Sequence, residues 1–182
     1  MKFRTLLFSL AMLFVLAANL NLCCRVGVNG AWDDTLYALG DARRAELAAR
    51  ATAEEILPRQ PRWPEIKHRV VLSLRPPQGD SRCLSARILS QVPGVSSLYA
   101  VRVGERSFGV VADADKLEER LRSALYGSMP PAAARASYSV GIEISPVYGR
   151  SGSAMLPSDM ALAVSGAVPA VFYDGEGNRI AG

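Results

Sequence analysis

The chain has 182 residues, 49% of them apolar and 21% charged, the balance of one globular domain or two small ones. Its net charge of +4 comes largely from scattered arginines with no basic run, which excludes a nucleic-acid-binding stripe and reads as a solvated surface. Three cysteines and one histidine are too few for a disulfide framework or a zinc site, so no cofactor and no metal is expected.

Lys2 and Arg4 precede an almost unbroken apolar run from Leu6 to Ala18, which continues more weakly through Leu20, Leu22, Cys23 and Cys24. Charge before such a run places the amino end in the cytoplasm and the remainder outside. Two readings compete. A cleavable signal peptide has its apolar core at Leu6 to Leu16 and small residues at Ala17 and Ala18. An uncleaved transmembrane anchor uses Thr5 to Cys24, close to the ~20 residues that cross a bilayer, and is preferred because the first strand is predicted to start at Val26. A lipid-modified Cys23 is a lesser alternative, because the bulky Leu22 stands before it where lipoprotein signals usually carry a small residue. Residues 1–24 are therefore assigned as signal or anchor, and the folded part works outside the cytoplasm, with the membrane as one partner. There, a bridge from Cys83 to Cys23 or Cys24 is open.

The segment "RVGVNGAW" predicts a hairpin turning at Asn29-Gly30, a pair that supplies the positive backbone angles of a two-residue turn. Asp41 caps a predicted helix that Pro58 ends. A stiff proline loop from Gln60 to Pro64 follows. Ile66, His68, Val70, Leu72 and Leu74 then alternate as a strand, closed by Pro76-Pro77. Cys83 to Gln91 predicts a short helix with Leu84, Ile88 and Leu89 as its apolar face.

The same order then returns. "LYAVRVGERSFGVVAD" predicts a hairpin around Gly104-Glu105-Arg106. Asp113 caps a helix whose stripe is Leu117, Leu121, Ala124 and Leu125, and Gly127 ends it. Tyr138, Val140, Ile142 and Ile144 form one alternating strand up to Pro146, and Leu156 to Ser165 a second short helix. Val26 and Val28 align with Val101 and Val103, and Val70, Leu72, Leu74 and Pro76 with Val140, Ile142, Ile144 and Pro146. The expected organisation is α+β: an N-terminal transmembrane or signal helix, then two tandem small hairpin-helix-strand repeat domains at 25–94 and 95–166. Residues 167–182, with Val168, Ala170 and Phe172 before an Asp174-Gly175 turn, open a third repeat hairpin. The second core is expected to hold Val101, Val103, Leu117, Leu121, Leu125, Val140, Ile142 and Ile144.

An N-terminal anchor followed by "VGVNG" and "VRVGE" hairpins, a Glu/Leu/Arg-rich helix and an "IEISPVY" strand resembles the non-catalytic N-terminal repeat region of membrane-anchored, lysostaphin-type zinc endopeptidases of Gram-positive anaerobes. The resemblance covers most of Val26 to Gly182. It implies a location and a role in the cell envelope, near peptidoglycan. The family's catalytic domain binds zinc through histidines and an aspartate, including a His-x-His pair, and this chain has only His68. No catalytic residue carries over.

Other residues that suggest chemistry have plainer readings. His68 sits between Ile66 and Val70 as a strand residue without a catalytic partner. Ser151, Ser153 and Ser158 lie in a Gly/Ser loop with no strand-to-helix elbow. Glu54-Glu55 and Glu118-Glu119 point in different directions around solvated helices. Among Trp32, Tyr37, Trp63, Tyr99, Tyr126, Tyr148 and Tyr173, Trp32, just after the first hairpin turn, is the best candidate for a ligand-stacking platform for sugar rings, with burial against the helix as the competing reading. The expected function is a non-enzymatic extracytoplasmic envelope module, a spacer or binding region associated with peptidoglycan-acting machinery. Two alternatives stand: the front of a peptidoglycan endopeptidase lacking its zinc domain, or an independent wall-polymer binding protein.

Overall fold

The computed structural model describes residues 12, 19–59 and 61–180. Apart from Met12, the expected signal or anchor before Asn19 lies outside the described residues. These residues form an α+β fold of four helices and ten strands, divided into one unit up to Val95 and another from Ser96.

The expected membrane-spanning helix is corrected. Among the described residues no helix is long and apolar enough to cross a membrane. The last residues assigned to the span are strand: β1 runs Asn21–Val28, and Cys23 and Cys24 are 0% and 1% exposed within it. Beyond Ser9, only Asn19 and Asn21 interrupt the apolar run from Leu6 to Cys24, so its outer end merges in sequence with an apolar strand.

β1 is the centre of the first unit. It turns at Asn29-Gly30, both with positive φ (50° and 83°), as a two-residue turn of matching twist requires. The short β2 (Ala31–Trp32) returns along it, and β3 (Tyr37–Ala38) pairs with Cys23 and Cys24. The opposite edge takes β4 (Ile66–Ser73), antiparallel along the whole of β1. Between them α1 spans Leu39–Ile56. It starts before Asp41, which therefore sits in the first turn, where its charge favours the helix dipole, and not at the cap. Its buried residues are Ala42, Ala45, Ala49 and Ala53. This row of small side chains lets α2 (Ser81–Leu89) pack closely with Leu84, Ile88 and Leu89. Asp80 caps α2 by accepting the Arg82 N–H at 2.8 Å. The alternating face expected of β4 is not buried: His68, Val70 and Leu72 are exposed, as are Leu74 just beyond the strand and Leu20 and Leu22 beside it.

In the second unit β5 (Val95–Val103) and β6 (Arg106–Val111) form a hairpin, and β8 (Ile142–Arg150) completes the three-stranded sheet β6-β5-β8. α3 (Ala114–Gly127) is capped by Asp113, which accepts the Lys116 N–H at 3.0 Å. That bond and the ion pair with Lys116 hold the exposed Asp113 carboxyl below its ordinary value. The strand expected through Tyr138 and Ile144 is divided between sheets. β7 (Arg135–Tyr138) ends before Val140 and Gly141, and β8 runs through Pro146. Proline is tolerated there because β8 is an edge strand. After α4 (Pro157–Ala167), the hairpin of β9 (Ala170–Tyr173) and β10 (Arg179–Ile180) adds to β7 in the sheet β10-β9-β7. Its turn is tied by Asp174, which accepts the N–H groups of Glu176 and Asn178. The core holds Val101, Val103, Leu117 and Leu121 as expected, with Ile142 and Ile144 partly buried against it. Val140 is exposed and Leu125 only half-buried. Met160, Ala161 and Val164 from α4 are also part of this core.

Candidate functional site

The hairpin turn puts Trp32 directly opposite Gly27 on β1. A Cβ at Gly27 would come within 3.1 Å of the indole, so the ring lies across the glycine backbone and Trp32 remains 47% exposed. Two residues earlier on the same face of β1, Arg25 pairs with Asp34 at 3.6 Å. An aromatic surface next to a cation and a carboxylate is therefore presented together.

The residues on either side of Trp32 are pinned by one side chain. Arg87, in the last turn of α2, donates from Nη2 to the Ala31 carbonyl at 2.9 Å and pairs through Nη1 with Asp33 at 2.8 Å. Asp33 also accepts the Thr35 N–H at 2.9 Å and the Tyr37 hydroxyl at 2.7 Å. Burial pushes the Asp33 carboxyl up, but the hydrogen bonds from Thr35 and Tyr37 and the Arg87 charge outweigh it and hold it at about 2. Burial and the neighbouring carboxylate push the Tyr37 phenol up to about 12. The network keeps its charges at all ordinary pH and fixes the strand that carries Trp32.

His68 is not without partners. Its Nδ1 lies 3.6 Å from Cys24 Sγ and its Nε2 3.2 Å from Glu46 Oε2 on α1. This is the atom order of a thiol–imidazole–carboxylate catalytic set. The environment runs against that use. Cys24 is 1% exposed, and burial raises its thiol, which a backbone hydrogen bond from Arg69 only partly offsets. A nucleophile needs the opposite, a lowered thiol within reach of substrate. The set instead ties β1, β4 and α1 together. Cys23 and Cys83 are likewise free, the latter exposed.

The serine loop has structural work. Ser151 bonds Ser96 at 2.7 Å, Ser153 donates to the Arg150 carbonyl at 2.7 Å, and Ser158 donates to Asp159 at 3.3 Å. Glu54, Glu55, Glu118 and Glu119 are exposed. Among the described residues no group of His, Cys, Asp and Glu is placed to hold a metal ion.

A second feature, which the sequence reading passed over as a proline loop, lies at the end of α1. Arg50, Glu54, Leu57, Pro58, Pro61 and Trp63 line a cavity of about 440 Å³. The Arg50 guanidinium stands 5.2 Å from the centre of the Trp63 ring, a cation–π arrangement. Trp63 Nε1 is buried with no hydrogen-bond acceptor, a state that costs about 1–3 kcal/mol. The signal in the sequence was the Arg-x-x-x-Glu spacing, which places both charges on one helix face just before prolines that frame a tryptophan.

No family model, curated protein or solved structure matches the chain. The envelope role implied by the resemblance accordingly rests on its short motifs alone.

Proposed function

We infer that the chain is an exported, non-enzymatic module of the cell envelope that binds wall polymer by stacking sugar rings on Trp32. The observation that carries this reading is the pinned and half-exposed indole, laid on Gly27 and flanked by Arg25 and Asp34. A sugar ring offers one apolar face and a rim of hydroxyls, and this surface offers an aromatic face with a hydrogen-bonding pair at its edge. In the thiol–imidazole–carboxylate set found among the described residues the Cys24 thiol is buried, which favours binding over bond breaking.

Export is supported by Lys2, Arg4 and the apolar run after them. Because β1 takes up Asn21–Cys24, the apolar stretch left before it matches the 7–15 residues of a signal-peptide core and falls short of the ~20 of a span. Leu20, Leu22, Val70, Leu72 and Leu74 expose an apolar surface where the chain enters the first unit. Leu22 and Leu72 are register partners on it. Such a patch suits contact with the lipid surface from which the chain emerges.

Co-sedimentation of the full chain with purified peptidoglycan tests the binding. Retention that falls several-fold in Trp32→Ala, with secondary structure unchanged, is the expected result. Equal retention of both proteins, or none of either, would remove the reading.

A further inference from the structure

We propose that the cleft at the C-terminal end of α1 is a binding site for a short peptide with a free amino and a free carboxyl group. Its dimensions come first. About 440 Å³ lies within the ~300–1,000 Å³ of small-ligand pockets.

Its chemistry has three parts. Arg50 and Glu54 stand one helical turn apart on one face of α1 and both are exposed. A pair at this spacing can close on itself, though less favourably with the cation on the N-terminal side. Here no ion pair joins them, and the guanidinium is held over the Trp63 ring instead. The cleft therefore offers a cation and a carboxylate, neither in an ion pair, one helical turn apart. The second part is the helix end. Its last turn carries the negative end of the dipole and contains no basic residue, so an ammonium group beside Glu54 is favoured there. Arg50, a turn back, is the complement for a carboxylate, which a guanidinium takes with two parallel hydrogen bonds. The third part is the wall. Leu57, Pro58, Pro61 and the Trp63 ring accept aliphatic side chains, and the prolines hold this wall without side-chain entropy to lose.

A single anion would leave Glu54 opposing it, and a purely apolar ligand would strand both charges. A dipolar peptide satisfies the whole cleft. This site is separate from the Trp32 platform and does not depend on the sugar reading.

The chain contains two tryptophans, so Trp32→Phe leaves Trp63 as the only indole reporter. The full chain carrying Trp32→Phe is titrated with alanyl-leucyl-alanine while Trp63 emission is followed. A saturable change is expected. Capping the peptide as its C-terminal amide, or acetylating its amino end, should each weaken binding about tenfold or more. Arg50→Gln should reproduce the loss seen with the amide, and Arg50→Lys should restore part of it. The capped peptides need no variant beyond the reporter protein, so the test survives if Arg50→Gln does not fold. Emission unchanged by the free peptide, or equal binding of free and capped forms, would overturn the assignment.

Discussion

Replacing Asp33 with Asn tests the network that holds Trp32. The amide keeps the shape and, through its one oxygen, an acceptor for the Thr35 N–H, but it puts a donor NH2 where the second carboxylate oxygen accepts the Tyr37 hydroxyl, and it removes the charge that Arg87 meets at 2.8 Å. Asp33 is held at about 2 against an ordinary 3.8, and each unit of difference is worth ~1.36 kcal/mol, so the ceiling is about 2.5 kcal/mol. The Arg87 and Asp33 side chains are 30% and 21% exposed, and solvent screening reduces this to about 1–2 kcal/mol. Both tryptophans, Trp32 and Trp63, belong to the first unit. Urea unfolding followed by tryptophan emission therefore reads that unit alone. At pH 7 the variant should lose about 1–2 kcal/mol, which in a thermal scan is a midpoint roughly 4–16 °C lower for a domain of this size. The sign with pH is fixed. A carboxyl depressed by folding contributes in full above its unfolded value and loses that contribution as pH falls through its folded value. The gap between wild type and variant should therefore be constant above about pH 4.5 and close as pH approaches 2. A gap below 0.5 kcal/mol at pH 7, or one unchanged down to pH 2, would refute the reasoning.

Gly79→Ala should destabilise the first unit by about 1–3 kcal/mol in the same assay, because its Cβ would fall 2.1 Å from the ring of the buried Tyr37. Wild-type stability in that variant would mean that Tyr37 is not held where it is. Leu117→Ala, in the core of the second unit, should cost about 2–5 kcal/mol. It should lower a circular-dichroism transition while leaving the tryptophan transition in place, and movement of the tryptophan transition would contradict the division at Val95. In intact cells expressing the full chain, a membrane-impermeant maleimide should label the exposed Cys83 and spare the buried Cys23 and Cys24. Labelling only after lysis would contradict export.

The parts of the fold legible in the sequence are those governed by neighbouring residues. Asn29-Gly30 specified its turn, Asp113 its cap, and the spacing of Leu84, Ile88 and Leu89 the buried face of α2. What escaped the sequence depends on residues far apart. Cys23 and Cys24 are as apolar as a membrane span, and pairing with Val70 and Val71 on one side and Tyr37 and Ala38 on the other makes them strand. Tyr138 and Ile142 share an alternating pattern but separate at Gly141 because β9 and β5 compete for them. Of the candidate site, Trp32 was visible as a residue after a turn. Its exposure was not, since that depends on Gly27 beneath it and on Arg87, 56 residues from the carbonyl it binds. Cys24, His68 and Glu46 meet only through the β1–β4 register and the packing of α1 above it.

The most direct measurement is the emission of Trp32 alone, in the full chain carrying Trp63→Phe, titrated with wall glycan strands freed of their peptides. A saturable change, lost when excess glycan disaccharide competes, is the result the platform predicts. Emission that does not move at any glycan concentration would show that Trp32 meets no sugar, and the envelope-binding account would fall with it.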